Sequence, residues 1–171
     1  MLVSQLLQRV LKVTRQVCDD VIVISPSRAL AEIVEPSGAR LVVQRGMGLN
    51  EGLEQARFDA LVDDIGTLII LHGDLPNLQA SDVEVLAGAL PDADSPAVAI
   101  APDRAGTGTN GLALRPPGVI RFRFGVGSFA VHLEEVRLAG VPLVAVNRAG
   151  IAFDLDTPED LTRWLEFGDA A

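Results

Sequence analysis

Apolar residues along the chain fall into two alternating rhythms. Leu2, Leu6, Leu7, Val10 and Val13 recur at helical spacing, so residues 3–17 read as a helix with one apolar face. Val21-Ile22-Val23-Ile24 is a continuous apolar run closed by Ser25-Pro26, the pattern of a strand covered on both faces. A short helix over 29–34 is broken by Pro36-Ser37-Gly38, and residues 40–43 make a second strand. Residues 50–63 are helical, with Leu53, Ala56, Ala60 and Leu61 on one side, and Thr67 to Leu71 is the clearest central strand. Ser81 and Glu84 have the spacing of a capping box for a helix through Leu90. Residues 98–101 are a strand, 109–115 are extended up to Pro116-Pro117, 128–139 are helical and 143–146 are a strand. Thr157 as N-cap and Pro158 in the first turn open a last helix to Phe167. Helices alternating with strands that are apolar throughout predict an α/β fold of three layers, a mostly parallel sheet between helices.

The chain has 171 residues, enough for one domain with a proper core. Its net charge of −9 argues against a nucleic-acid surface, which needs a basic face. It leaves room for a small anion, provided a metal or a nest of N–H groups offsets the field. The single cysteine, Cys18, rules out an internal disulfide and signals no zinc cluster. No apolar run reaches the roughly 18–20 residues that span a bilayer, and the first residues lack the pattern of a signal peptide. We therefore expect a cytoplasmic protein without nucleic-acid or membrane partners.

Two glycine-rich stretches and three acids carry the candidate chemistry. Gly106-Thr107-Gly108-Thr109-Asn110-Gly111 has dinucleotide-like spacing, but Pro116-Pro117 follows instead of a helix, so the dinucleotide reading fails. It is either a polar surface turn or a set of hydroxyls and N–H groups for an anion. Gly125-Val126-Gly127-Ser128 does precede a helix, with Ser128 as its expected N-cap. A helix start after glycines suits a phosphate or carboxylate, and Arg121 and Arg123 lie just upstream. The bland alternative is a capped helix with two solvated arginines. His132 falls near the first turn of that helix, within reach of an anion. Asp74 stands just past the end of the central strand, where open α/β sheets bind ligands. Asp154 and Asp156 alternate in an extended segment, so both carboxylates face one way. The three acids would suit a hard divalent cation; alternatively Asp156 merely caps the last helix and Asp74 starts a turn.

Asp74-Leu75-Pro76, Ala101-Pro102-Asp103-Arg104 with Gly106-Thr107-Gly108-Thr109-Asn110, Phe122-Arg123-Phe124-Gly125 with Gly127-Ser128-Phe129 and His132, and Asp154 through Asp160 together resemble the phosphoenolpyruvate/2-phospho-L-lactate guanylyltransferases of coenzyme F420 biosynthesis. Gly48-Leu49-Asn50 before a helix also fits. The resemblance runs over nearly the whole chain. It implies a single nucleotidyltransferase domain over residues 1–171, with the glycosyltransferase-A-like fold of nucleotide-diphospho-sugar transferases. Thr109, Gly125 and Ser128, with Arg123 and His132 beside them, would hold the phosphorylated three-carbon acid. Asp74, Asp154 and Asp156 would hold Mg2+ and be catalytic, and Gly48 and Asn50 would lie near GTP, the co-substrate.

One departure matters. Family members open with a strand and a loop rich in Lys, Ser and Arg that grips the GTP phosphates, whereas this sequence opens on a helix. We expect an N-terminally truncated version of the fold, with a start assigned too late. Its sheet should lack a middle strand, leaving two strands each without a neighbour. Such exposed edges would favour a homodimer. The alternatives are a related nucleotidyltransferase with another acceptor, or a non-catalytic paralogue that binds only the three-carbon acid.

Overall fold

The computed structural model describes residues 2–46, 48–62, 65–91 and 95–167. Helix α1 (Leu2–Thr14) leads to strand β1 (Ile22–Ser25), the short α2 (Ala31–Val34) and strand β2 (Arg40–Val43). Then follow α3 (Leu49–Val62), β3 (Leu68–Leu71), α4 (Ala80–Gly88), β4 (Ala97–Pro102) and β5 (Thr109–Arg115). The chain ends with α5 (Ser128–Ala139), β6 (Leu143–Ala145), the single-turn α6 (Ala149–Ala152) and α7 (Pro158–Phe167). Every expected helix and strand is present within a few residues. Asp63 and the side chains of Ala60 and Leu61, expected on α3, lie outside the described residues.

β1 and β2 pair in parallel as a two-stranded sheet, and the remaining strands form a second sheet in the order β3-β5-β4-β6. β3, β4 and β6 run one way, and β5 runs against both of its neighbours. Three of its four strands thus share one direction, and one reversed central strand, which apolar patterning did not reveal, makes the pairings on either side of it antiparallel. The reversal follows from loop length. Only Asp103–Gly108 separates β4 from β5, and a parallel crossover needs a dozen residues or more. Among the described residues β1 pairs with β2 alone, and β3 with β5 alone.

Alternation along β4 and β5 sorts two cores. Ala97, Ala99, Ala101 and Ala113 face a layer built from α1, α4 and α6, where Val10, Val83, Leu86 and Ile151 are buried. Val98, Ile100, Leu112 and Leu114 face α3 and α5, with Ile120, Phe122 and Phe124 packed between. The first face is so close that a Cβ on Gly111 would meet Ile151 Cγ2 and Leu86 Cδ2, each at 3.1 Å. α1 also reaches the smaller sheet. Its Leu7 and Leu11 pack with Val34 and Ala39, against partly buried Val23 and Leu41, while Val10 sits in the main core.

Helix starts decide several loop positions. α7 begins as the sequence predicts: Thr157 Oγ1 accepts the Asp160 N–H at 3.1 Å, and Asp160 Oδ2 accepts the Thr157 N–H at 3.0 Å. α4 does not. Its cap is Gln79, whose N–H donates to Asp82 Oδ2 at 3.0 Å, so the box lies two residues before Ser81 and Glu84. The buried Asp82 also receives Arg148 Nε at 2.7 Å, a tertiary bond that fixes the register no local pattern encodes. Asp82→Ala should therefore lower stability by about 2–3 kcal/mol in urea unfolding, because it strips a buried acceptor from two donors. Glu84→Ala, at an exposed position, should stay within about 0.5 kcal/mol.

Candidate active site

β3 delivers His72 and Asp74 at its carboxyl end. The His72 N–H donates to Asn110 O at 3.3 Å, continuing the β3–β5 ladder by one step. The fully buried Leu75 and Leu78 anchor the loop behind Asp74. Asp74 O accepts the Leu155 N–H at 3.2 Å, which draws the 153–156 segment alongside. Asn110 Nδ2 donates to Ile151 O at 3.0 Å and to Ala152 O at 3.4 Å, at the head of the segment that carries Asp154. Arg104 holds the same segment from outside: its guanidinium lies 5.1 Å from the Phe153 ring centre and donates to Asp160 Oδ1 at 3.0 Å. Asp156 is exposed, and the capping of α7 falls to Thr157 and Asp160 instead.

Asp74, Asp154 and Asp156 thus share one neighbourhood. Burial, the largest cause, raises the Asp74 pKa; Asp156 and Asp154 add to the rise while His72 opposes it. Burial likewise raises that of Asp154, with Asp156 adding to it. Asp74 Oδ1 and His72 Nε2 are buried without a hydrogen-bond partner. Among the described residues no three His, Cys, Asp or Glu side chains form a ready-made metal cage.

A second cluster lies across the reversed strand. Asp103 organises the 103–108 turn, accepting the Thr107 N–H at 2.8 Å and the Thr107 hydroxyl at 3.2 Å. Thr107 O in turn accepts the Phe129 N–H at 3.0 Å, so the turn abuts the start of α5. The N-cap of α5 is Gly127 rather than Ser128, which is the first helical residue. Gly125 (φ 132°) and Gly127 (φ 70°) are left-handed, and a Cβ on either would meet nothing within 4 Å. That combination makes an open glycine face that only glycine adopts without strain. Thr109 and Ser128 are each only 2% exposed behind it.

Several expected contacts take a different form. His132 was expected to reach an anion directly. It is fully buried, with Nδ1 3.0 Å from Thr109 Oγ1 and Nε2 accepting the Arg123 N–H at 3.0 Å. Both ring nitrogens are engaged within the protein, so it acts on the cradle from behind. The Arg123 guanidinium donates to Glu135 Oε1 at 2.9 Å. Asn50, at the start of α3, donates Nδ2 to Phe124 O at 3.0 Å and accepts the Phe124 N–H on Oδ1 at 2.9 Å. Gly48 precedes it with open space around its Cα. The ring of Phe124 lies 5.8 Å from His72 and 4.9 Å from His132, centre to centre, so aromatic packing joins the acidic cluster to the cradle. Composition concealed this link, since aromatic residues are scarce overall.

The sequence profile described as "Guanylyl transferase CofC like" matches residues 1–171. This chain belongs to the CofC-like guanylyltransferase family. It is 45% identical over 163 residues to a phosphoenolpyruvate guanylyltransferase of Sphaerobacter thermophilus, covering 94% of this chain and 77% of that protein. A phosphoenolpyruvate guanylyltransferase of Rubrobacter xylanophilus is 44% identical over 143 residues, covering 84% of this chain and 69% of the relative. A 2-phospho-L-lactate guanylyltransferase of Methanocaldococcus infernus is 31% identical over 148 residues, 86% of this chain and 65% of that protein. Among solved structures, 4-diphosphocytidyl-2C-methyl-D-erythritol synthase matches with a TM-score of 0.68 at 16% identity, over 92% of this chain and 87% of its own. The fold of this family member is therefore that of nucleotidyltransferases. Among the described residues no helix is long and apolar enough to cross a membrane.

Burial, the largest cause, lowers the His132 pKa from 6.5 to about 4; Glu135 opposes the shift and Arg123 reinforces it. The unfolded chain then takes up a proton that the folded protein refuses between about pH 6.5 and 4. This contribution lowers stability as pH falls through that window, by about 3 kcal/mol in all. The raised pKa values of Asp74 and Asp154 act with the opposite sign. The clean measurement is thus a difference: between pH 7 and 4, urea unfolding of the wild type should lose stability relative to His132→Asn, which has no such proton to take up.

Proposed function

We propose that this protein transfers guanylate from GTP to the phosphate of phosphoenolpyruvate and releases pyrophosphate. The observation that carries the reading is the juxtaposition of the acidic group Asp74, Asp154 and Asp156 with the open glycine cradle at Gly125 and Gly127, joined through Phe124. Phosphoenolpyruvate is favoured over 2-phospho-L-lactate as acceptor because the relatives named for it reach 45% and 44% identity, against 31% for the lactyl relative. An oxygen of the acceptor phosphate attacks the α-phosphorus of GTP. The new P–O bond forms as the bond to the β-phosphate bridging oxygen breaks. The attacking oxygen is already ionised at neutral pH, so no strong general base is required. What the protein supplies is position and charge balance.

The glycine face and the Thr109 and Ser128 positions receive the acceptor, with Arg123 as a nearby cation. Gly48, opening onto the start of α3, is the approach for the nucleotide, and Asn50 sets its distance from the cradle through Phe124. The acids fit a hard divalent cation: they repel one another, and Asp74 Oδ1 is buried with no partner. The lack of a three-ligand cage is no obstacle, since magnesium binds through one or two carboxylates, water and substrate phosphates. Asp74, Asp154 and Asp156 would hold it, and it would neutralise charge on the reacting phosphates.

Incubation with GTP, Mg2+ and phosphoenolpyruvate should release pyrophosphate, with 2-phospho-L-lactate the poorer acceptor. No GTP-dependent transfer to either compound would overturn the proposal. Asp154→Asn should lower turnover at least about 100-fold while leaving the melting temperature equal or higher, because it relieves the repulsion that raises Asp74. A purely structural Asp154 would lose both together.

A further inference from the structure

We infer that His132 is a positioning residue that fixes the polarity of Thr109 and the place of the Arg123–Gly125 segment, and so sets the affinity of the site for its phosphorylated acid. The inference rests on the reading of the cradle as the acceptor site. Its basis is hydrogen-bond logic. The Arg123 main-chain N–H can only donate, so His132 Nε2 must accept it. A neutral imidazole with an accepting Nε2 carries its proton on Nδ1. Nδ1–H therefore donates to Thr109 Oγ1 over the 3.0 Å contact. Among the described residues Thr109 Oγ1 has no other partner, so its own hydrogen is left for an acceptor atom outside this network. An ionised phosphate or carboxylate oxygen offers only acceptors, which is the complement required.

The same imidazole sets geometry as well as polarity. The N–H of Arg123 is held by His132 from α5, while both main-chain groups of Phe124 are held by Asn50 from α3. Three consecutive peptide units are thus gripped from two helices, immediately before the left-handed Gly125. The Phe124 ring packs edge-on against the His132 ring, centre to centre at 4.9 Å. Because His132 is fully buried, it exerts this control without being a ligand contact.

Two amide substitutions separate its two bonds. In His132→Asn the side-chain amide falls near Nδ1 and can still donate to Thr109. In His132→Gln it falls near Nε2 and can still accept from Arg123. The expected result is a phosphoenolpyruvate KM raised 10-fold or more in His132→Gln and by less than 3-fold in His132→Asn, with the KM for GTP within 2-fold of wild type in both. Equal changes in both KM values, or no change in either, would overturn the inference. Nitrogen-15 NMR of the wild-type histidines supplies a test that needs no turnover and no variant. It should show His132 protonated at Nδ1 and bare at Nε2 throughout pH 5–8; the opposite tautomer would end the proposal even if transfer to phosphoenolpyruvate is confirmed. A protein with the expected tautomer but no transfer would instead fault the assignment of the reaction.

Discussion

The candidate site depends on the direction of one strand. β5 is tied to β4 by a turn too short for a crossover, so it must run back through the middle of the sheet. Its beginning therefore lies where β3 ends. The β4–β5 register shifts between Ala101 and Pro102, which leaves Asn110 outside the regular alternation, and the first two residues of β5 divide the work across that irregularity. Asn110 turns toward α6 and ties down the backbone that carries Asp154. Thr109 turns toward α5 and meets His132. A parallel strand in the same slot would carry these residues to the far edge of the sheet, away from both Asp74 and the glycine face.

Most of the fold could be read from the chain because each element announces itself locally. β2 and α7 need only an apolar run, a breaker and a cap. The misreadings have separate causes. Ser81 and Glu84 have ideal capping spacing, yet Asp82 wins the position because Arg148, far along the chain, completes its shell. Ser128 looks like an N-cap, but the left-handed Gly127 takes that place and lets the chain turn sharply into α5. The reversed direction of β5 was legible in principle from the length of the 103–108 turn, a cue that apolar periodicity does not contain.

The same division applies to the site. Asp74 was legible from its place after a strand, and Asp154 with Asp156 from their alternation. The His132 environment was not, because burial is a property of the assembled layers. A histidine near the start of a helix reads as an anion contact until Phe124 and the Arg123 main chain are seen to close around it. Arg104 was quoted only as part of a motif; its grip on Phe153 and Asp160 brings together segments more than forty residues apart. Under the proposed function a protein with a charge of −9 would handle anionic ligands by local means: the open glycine face at Gly125 and Gly127, and carboxylates whose repulsion a cation would relieve.

The alanines of β4 and β5 have a mechanical consequence. Side chains with no rotatable bonds, and Gly111 with none at all, leave α4 and α6 no cushion against the strands. That wall is stiff, and the loops bearing Asp74 and Asp154 are moored to it. The opposite wall is lined by branched and aromatic groups that can change rotamer, and it bears Phe124 and α5. Under the proposed function, the adjustment that admits donor and acceptor and then brings them together would fall to that softer side, with the acids acting as the anvil.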